Sequence, residues 1–451
     1  MTARVLIISY FFPPDGGPGT QRALKFARHL WRCGWTPTVL ARAAPARRGR
    51  WDPEDATLLR EIPGHVNVHR IAAPTRAGDW ARMLPALDGE ETLAWAEAAY
   101  HEAARIIRDE FTDAVLITMS PFDLAHLGRR LQAQTGTPVI YDLRDPWALD
   151  GWRVHRSRAR AAVDADFMGR TLVGADGVIA NCDDARRAML DAFPGLDDGL
   201  VTTITNGYDE DDFGSAGAYR RDPGDFRLVH TGSLHARRAL SERGILGRLR
   251  RFRRHTAEAI DPSGRTLEHL LRAVHLLAQR RHPLAERLRI ILAGVPDDAT
   301  RRQVATAGMM PRIEWTGYLP HTESVALVQG ADALFLPLHD VAPGRTSLIL
   351  PGKTFEYLAS GRPVLGCLPD GDARRLVESS PRGYCARPCD AAGIASALSR
   401  LHDAWVEGRL DRPAPPAWIA RFERRQLAAQ LAEFLDRIAG RERQIALRRA
   451  A

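Results

Sequence analysis

The chain opens on an apolar, β-branched run, Arg4-Val-Leu-Ile-Ile-Ser9. A loop of Pro, Asp and Gly follows, and then apolar positions at Ala23, Leu24, Ala27, Leu30 and Trp31, closed by Gly34. Apolar residues three and four apart mark one face of a helix, whereas a short apolar run bounded by turn residues marks a buried strand. The pattern predicts strand, loop and helix, and it recurs. Thr38 to Leu40 and Val115 to Thr118 read as strands, Leu124 to Gln134 as a helix, and Pro138 to Leu143 as a further strand. Strands alternating with helices predict a parallel sheet covered on both faces.

Periodicity lapses between Asp209 and Asp225, where Asp, Gly, Ser, Ala and Pro dominate, and restarts at Phe226-Arg-Leu-Val-His-Thr-Gly232. Leu288 to Ala293, Arg312 to Trp315, Ala333 to Pro337 and Pro363 to Gly366 then read as strands of a second sheet. A chain of 451 residues also exceeds the size at which one hydrophobic core stops growing. The fold class expected is α/β, with two doubly wound, Rossmann-like domains facing a central cleft. The expected domains are 1–215, 216–415 with a basic insertion at 235–265, and a C-terminal segment 416–451. In that last segment Trp418 to Ile438 reads as one amphipathic helix packing back toward the first domain.

Composition changes this picture little. An apolar share of 45% and a charged share of 26% are those of a soluble globular chain and exclude wholesale disorder. The net charge of +8 is carried by Arg, most densely at Arg248, Arg250, Arg251, Arg253 and Arg254, and favours anionic partners. Leu246, Leu249 and Phe252 have helical spacing among these arginines. The insertion therefore reads as a solvated surface element, or as a basic helix that meets an acceptor or an anionic membrane surface. Nucleic acid is set aside, because Phe252 is the only aromatic inside the densest run. Five scattered cysteines without CxxC spacing read as reduced thiols, and no metal site is expected. Val5 to Phe12 reads as a strand rather than a targeting segment, and no run approaches a spanning helix. The expected location is the cytoplasm, with any membrane contact peripheral at the inner face of the cell membrane.

Three stretches carry candidate chemistry. The loop Phe12-Pro-Pro-Asp-Gly-Gly-Pro-Gly19 lies between a strand and a helix start, where glycines and free N–H groups suit a phosphate; its spacing is that of neither a dinucleotide fingerprint nor a Walker loop. Asp142-Leu-Arg-Asp-Pro-Trp147 packs three charges into a strand exit. Either Arg144 pairs with Asp142 or Asp145 as a structural clasp, or the group handles acceptor hydroxyls with Asp145 as general base. In Gly344 to Val364, Lys353 stands in the first turn of a short helix, where the helix dipole disfavours a cation and a phosphate partner would relieve it. Glu356 either complements that dipole or reaches a ribose diol.

These stretches, with His230-Thr-Gly-Ser233, Trp315-Thr-Gly-Tyr-Leu-Pro320 and Lys353-Thr-Phe-Glu-Tyr-Leu-Ala-Ser-Gly-Arg-Pro-Val364, resemble in order bacterial family-4 retaining glycosyltransferases of GT-B fold, closest to the polysaccharide and glycolipid assembly branch. The resemblance implies a transferase that moves a sugar from a nucleotide-sugar donor, a substrate rather than a cofactor, to a sugar or lipid-linked acceptor. It implies that Glu356 binds the donor ribose. Gly16, Gly17, Gly19 and Gly232 lie beside the donor phosphates, with Arg237 or Arg238 supplying a cation. Thr316, Gly317, Tyr318 and Leu319 meet the nucleobase. Many relatives carry a glutamate where Leu348 stands, so sugar recognition falls to Arg345, Thr346, Ser347 and neighbouring N–H groups. Relatives with a histidine after the fourth strand are matched here by Ser120-Pro121; His126, one turn later, reads as a surface helix residue. Lys353, Asp145 and an orienting Arg144 are the catalytic candidates. Rival readings are a nucleotide-sugar epimerase or hydrolase on the same fold and a non-catalytic, membrane-associated assembly partner.

Overall fold

The computed structural model describes residues 2–44, 53–75, 78, 80–214, 222, 224–241 and 255–440. The chain divides into two compact units. The first comprises 1–150, 159–206 and 424–451, and the second 151–158 and 207–423.

The first unit is built on a seven-stranded parallel sheet. Its strands are β1 (Ala3–Ser9), β2 (Trp35–Arg42), β3 (Asn67–Ile71), β4 (Ala114–Met119), β5 (Val139–Leu143), β6 (Gly177–Ala180) and β7 (Val201–Thr203). They are ordered β3-β2-β1-β4-β5-β6-β7. Strand β1 is an interior strand, and Leu6, Ile7 and Ile8 on successive faces are wholly buried, as a parallel sheet covered by helices on both sides requires. This is why its sequence reads as a continuous apolar run rather than an alternating one.

The second unit repeats the plan. Strands β8 (Phe226–Thr231), β10 (Leu288–Ala293), β11 (Ile313–Gly317), β12 (Ala333–Pro337), β14 (Val364–Cys367) and β15 (Gly383–Ala386) form a parallel sheet ordered β11-β10-β8-β12-β14-β15. A short antiparallel pair joins β9 (Ile260–Asp261) to β13 (Asp340–Val341). In each unit the chain winds outward in both directions from its first strand, so the loops after β1 and β8 stand at switch points, where open α/β sheets bind ligands.

Several local expectations change. Strands β3, β6, β7 and β15 were not anticipated; they are short runs on the outer part of each sheet, and β3 buries none of its residues fully. Trp418 to Ile438 is not one helix. A 3-10 turn, Ala417–Phe422, ends at an extended Glu423, and an α-helix runs from Arg424 to Ile438. The break follows from packing. Phe422 lies against Phe355 with ring centroids 4.8 Å apart and its carbonyl accepts from Tyr208 N–H, while Leu427, Leu431 and Leu435 join the first unit's core with Leu24 and Trp35. The expected helix of Leu246, Leu249 and Phe252, with the arginines from Arg248 to Arg254, lies outside the described residues, as does the tail beyond 440. Among the described residues no helix is long and apolar enough to cross a membrane.

Candidate functional site

The short helix Lys353–Ala359 is pinned by its own apolar residues. Phe355, Tyr357 and Leu358 are buried, and the Tyr357 hydroxyl accepts from the Thr231 N–H at 2.9 Å. Anchoring these positions leaves Lys353 and Glu356, three residues apart and so on one face, beside the loop that follows β8. Lys353 Nζ donates to the Thr231 carbonyl. The next residue, Gly232, has φ +102°, and a Cβ there would lie 2.7 Å from Lys353 Nζ. A side chain at 232 would thus meet both left-handed strain and the lysine.

The loops after β8, β10 and β11 are stitched together at this point. Gly232 N–H donates to the Ala293 carbonyl at 2.6 Å and Gly294 N–H to the Gly317 carbonyl at 2.7 Å. A Cβ on Gly294 would lie 2.5 Å from the Gly232 carbonyl oxygen, so the backbones meet where only glycine fits. Gly317, at φ +75°, opens the half-buried stretch Tyr318-Leu319 expected to meet a nucleobase. Thr316 Oγ1 turns back to the Gly317 carbonyl at 3.1 Å.

The electrostatics of this corner are cationic. Burial, and then the Arg265 guanidinium, push the Lys353 ammonium down to about 7, with Glu356 acting the other way. His230, buried behind the loop, is held well below its ordinary value by burial and by Lys353, and its Nδ1 lies 2.9 Å from the Phe335 carbonyl oxygen. The Glu356 carboxylate is half-buried and makes no hydrogen bond among the described residues. A depressed lysine and a carboxylate with open hydrogen-bonding positions on one helix face suit a ligand that carries both phosphate and hydroxyl groups.

This geometry predicts a pH effect. A diphosphate stabilises the Lys353 ammonium, so the complex holds it charged where the free protein, above pH 7, does not. Binding is expected to be strongest below pH 7 and to weaken by up to about tenfold per pH unit above it. At pH 8, where phosphates are fully ionised, nucleoside diphosphate titrations in buffers of different ionisation enthalpy should show uptake of nearly one proton. The Lys353→Arg variant, charged throughout, should show none. An absence of uptake in the unsubstituted protein would remove Lys353 from the phosphate site.

The remaining predicted residues divide by position. Arg238 belongs to the same corner, its guanidinium 4.4 Å from the Trp152 ring centroid, whereas Arg237 is exposed and donates its backbone N–H to Asp297 at 3.4 Å. Arg345 is exposed and paired with Glu258 at 3.1 Å. Thr346 is half-buried, and the buried Ser347 donates its N–H to the Asp370 carbonyl at 2.8 Å.

In the first unit, the expected clasp of Arg144 with Asp142 or Asp145 is not what forms. Asp142 is fully buried against Arg22, which reaches it through Nε at 2.7 Å and Nη2 at 2.6 Å, while Arg144 donates to the carbonyls of Met119 and Ser120. The carbonyls at the end of β4 take the Arg144 fork, and the adjoining helix Pro18–His29 brings a better-placed arginine to Asp142. Burial lowers Arg144, opposed by Asp145 and Asp142. Asp145 is half-buried and makes no hydrogen bond among the described residues. The glycine loop comes to the same place, since a Cβ on Gly19 would lie 2.7 Å from Arg144 Nη1. Gly17 takes φ +85°, and Gly16 N–H donates to the Pro53 carbonyl at 2.7 Å. Trp147 is core, stacked on Phe122 at 5.1 Å. His126 is buried rather than on the surface, stacked on Phe167 at 4.5 Å, and burial lowers it to about 4.

Sequence reasoning missed Arg265, Trp152 and His339. Arg265 left no such signal, because it closes the 3-10 turn Pro262–Arg265, three positions before the helix Glu268–Gln279, and so is not in a helix's first turn as Lys353 is. A possible metal-binding group does occur elsewhere, with ligand atoms of His282, His402 and Asp403 within 4.8 Å of one another. His282, however, accepts from the Leu284 N–H on Nδ1 at 3.2 Å, so its Nε2, facing Ser399 Oγ at 2.9 Å, carries the proton and has no lone pair for an ion.

Comparison with known proteins agrees with this architecture. Among solved structures, the chain is similar to Anabaena Alr3699/HepE in complex with UDP and glucose. The two are 17% identical, with a TM-score of 0.62, and the likeness covers 96% of this chain and 99% of that one. It is also similar to sucrose-phosphate synthase from Thermosynechococcus elongatus, at 15% identity and TM-score 0.60 over 100% of both chains. A putative UDP-N-acetylglucosamine 2-epimerase from Listeria monocytogenes follows at 14% identity and TM-score 0.55, over 97% of this chain and 96% of that one. At these identities the likeness is one of fold, and the fold is GT-B. No curated protein matches the chain in sequence. The family model described as a glycosyl transferase 4-like domain matches residues 16–207, and the model described as glycosyl transferases group 1 matches residues 259–404. With one such domain in each half, the chain belongs to the glycosyltransferases.

Proposed function

We propose that the protein transfers a sugar from a nucleoside diphosphate carrier, with UDP-sugars the first to test, to a sugar or lipid-linked acceptor with retention of anomeric configuration. The observation that carries this reading is the corner where Lys353, Arg265 and the Gly232 backbone come together beside a Glu356 carboxylate that makes no hydrogen bond among the described residues. The cations neutralise the departing diphosphate, the largest charge that develops, which makes a metal unnecessary for the chemical step. Glu356 holds the ribose, and Thr316 to Leu319 the base. In the first unit Asp145 accepts the acceptor proton as the sugar's bond to the carrier phosphate breaks and its bond to the acceptor oxygen forms. The Anabaena neighbour's complex with UDP and glucose supports the choice of donor. The acceptor is read as one used in polysaccharide or glycolipid assembly, met at an anionic membrane face through the arginines between 248 and 254.

Mass spectrometry on a panel of UDP-, GDP-, ADP- and TDP-sugars, with membrane-derived acceptor presented in anionic vesicles, tests this reading. The expected product is acceptor plus one glycosyl residue, formed equally well with a metal chelator present. An isomerised donor formed without acceptor would replace transfer by epimerisation, the second reading that the Listeria neighbour's name favours.

A further inference from the structure

Residues 151–158 follow the Asp142 to Trp147 stretch directly, yet they belong to the second unit, between two stretches of the first. They are clamped there. His155 and His255 exchange backbone hydrogen bonds at 2.8 and 3.1 Å, and a Cβ on Gly151 would collide with Ile260. This strap delivers Trp152 into the cationic corner. Arg238 lies over the indole at 4.4 Å from its centroid while Nη1 and Nη2 donate to the carbonyls of Trp152 and Gly151, at 2.8 and 3.3 Å. Arg265 lies 5.9 Å from the same ring, and the His235 ring lies 4.7 Å away. The indole N–H donates to His339 Nδ1 at 2.8 Å. This bond requires His339 to be neutral at Nδ1, and burial with Arg265 and Arg238 nearby lowers the imidazole to about 3, so the bond persists across physiological pH.

Arg238 and Arg265 carry like charges around one ring, and Arg265 also acts on Lys353, so their charges repel. A flat aromatic face with two carbonyls at its edge holds one guanidinium in plane and attracts the other. Orienting these groups before a ligand arrives removes part of the entropy cost of binding. We propose that Trp152 is a positioning residue of the donor site, holding Arg238 and Arg265 around the place where the second phosphate of a nucleoside diphosphate binds. The inference rests on the donor reading above and adds that the cationic half of that site is assembled by a strap from the first half of the chain.

Calorimetry on the full chain tests it, using UDP against UMP, or the diphosphate and monophosphate of whichever of G, A or T binds. Trp152→Ala should weaken the diphosphate about tenfold and the monophosphate little, narrowing their ratio. Trp152→Phe keeps an aromatic face while losing the His339 bond and part of the ring area, so it should restore most of the ratio. An unchanged ratio in Trp152→Ala, or a parallel loss of both ligands that Trp152→Phe does not recover, overturns the positioning role while leaving the donor reading in place. Failure of the unsubstituted protein to bind any nucleoside diphosphate overturns the donor reading, and this inference with it.

Discussion

Removal of the Asp142 carboxylate is expected to destabilise the first unit by about 3–5 kcal/mol, a large share of the stability of an ordinary domain. Asp142 and Arg22 are both almost wholly buried, at 0% and 2% exposure, and the arginine also donates to the carbonyls of Ile204 and Thr205 at 2.8 and 2.7 Å. One group therefore joins the helix Pro18–His29, the end of β5 and the segment after β7. In Asp142→Ala the guanidinium stays buried with its charge uncompensated. Denaturant unfolding should show the loss, and a change below about 1 kcal/mol would mean that water reaches the arginine and the pair matters little. Replacing both partners together, Arg22→Met with Asp142→Leu, should restore much of the stability, because a desolvated ion pair gains little over apolar packing.

Replacement of Glu356 by Ala should weaken nucleoside diphosphate binding about a hundredfold, on the order of 3 kcal/mol, by deleting charge-assisted hydrogen bonds to a diol. The unliganded protein should hardly notice, because the carboxylate makes no hydrogen bond among the described residues. One effect should remain: without Glu356 the Lys353 ammonium loses its favourable neighbour, so the pH profile of binding should move to lower pH. Titration of the variant with UDP and UMP reads both, and undiminished affinity would remove Glu356 from the donor site.

Much of this was legible beforehand. Strands β1 and β12 and the end of β10 are continuous apolar runs because both sheet faces are covered, and apolar burial is the strongest signal a sequence carries. The outer strands β3 and β7 bury little and left no such trace. Lys353 could be singled out locally, since its conflict with a helix start is a property of neighbouring residues.

The partners of charged groups were not legible. Arg144 stands two residues from Asp142, but Arg22, 120 positions earlier, takes the carboxylate. Trp152 reads as part of the first half and serves the second. The sequence by itself determined two apolar-strand α/β layers, the chain's kinship and the helix bearing Lys353 and Glu356, since each rests on residues close in sequence. Only the tertiary structure decided which arginine meets which carboxylate and that Arg265 and Arg238 gather on the Trp152 ring. A charge selects its partner by distance in space after the sheets have closed, and the spacing of residues along the chain does not encode that distance.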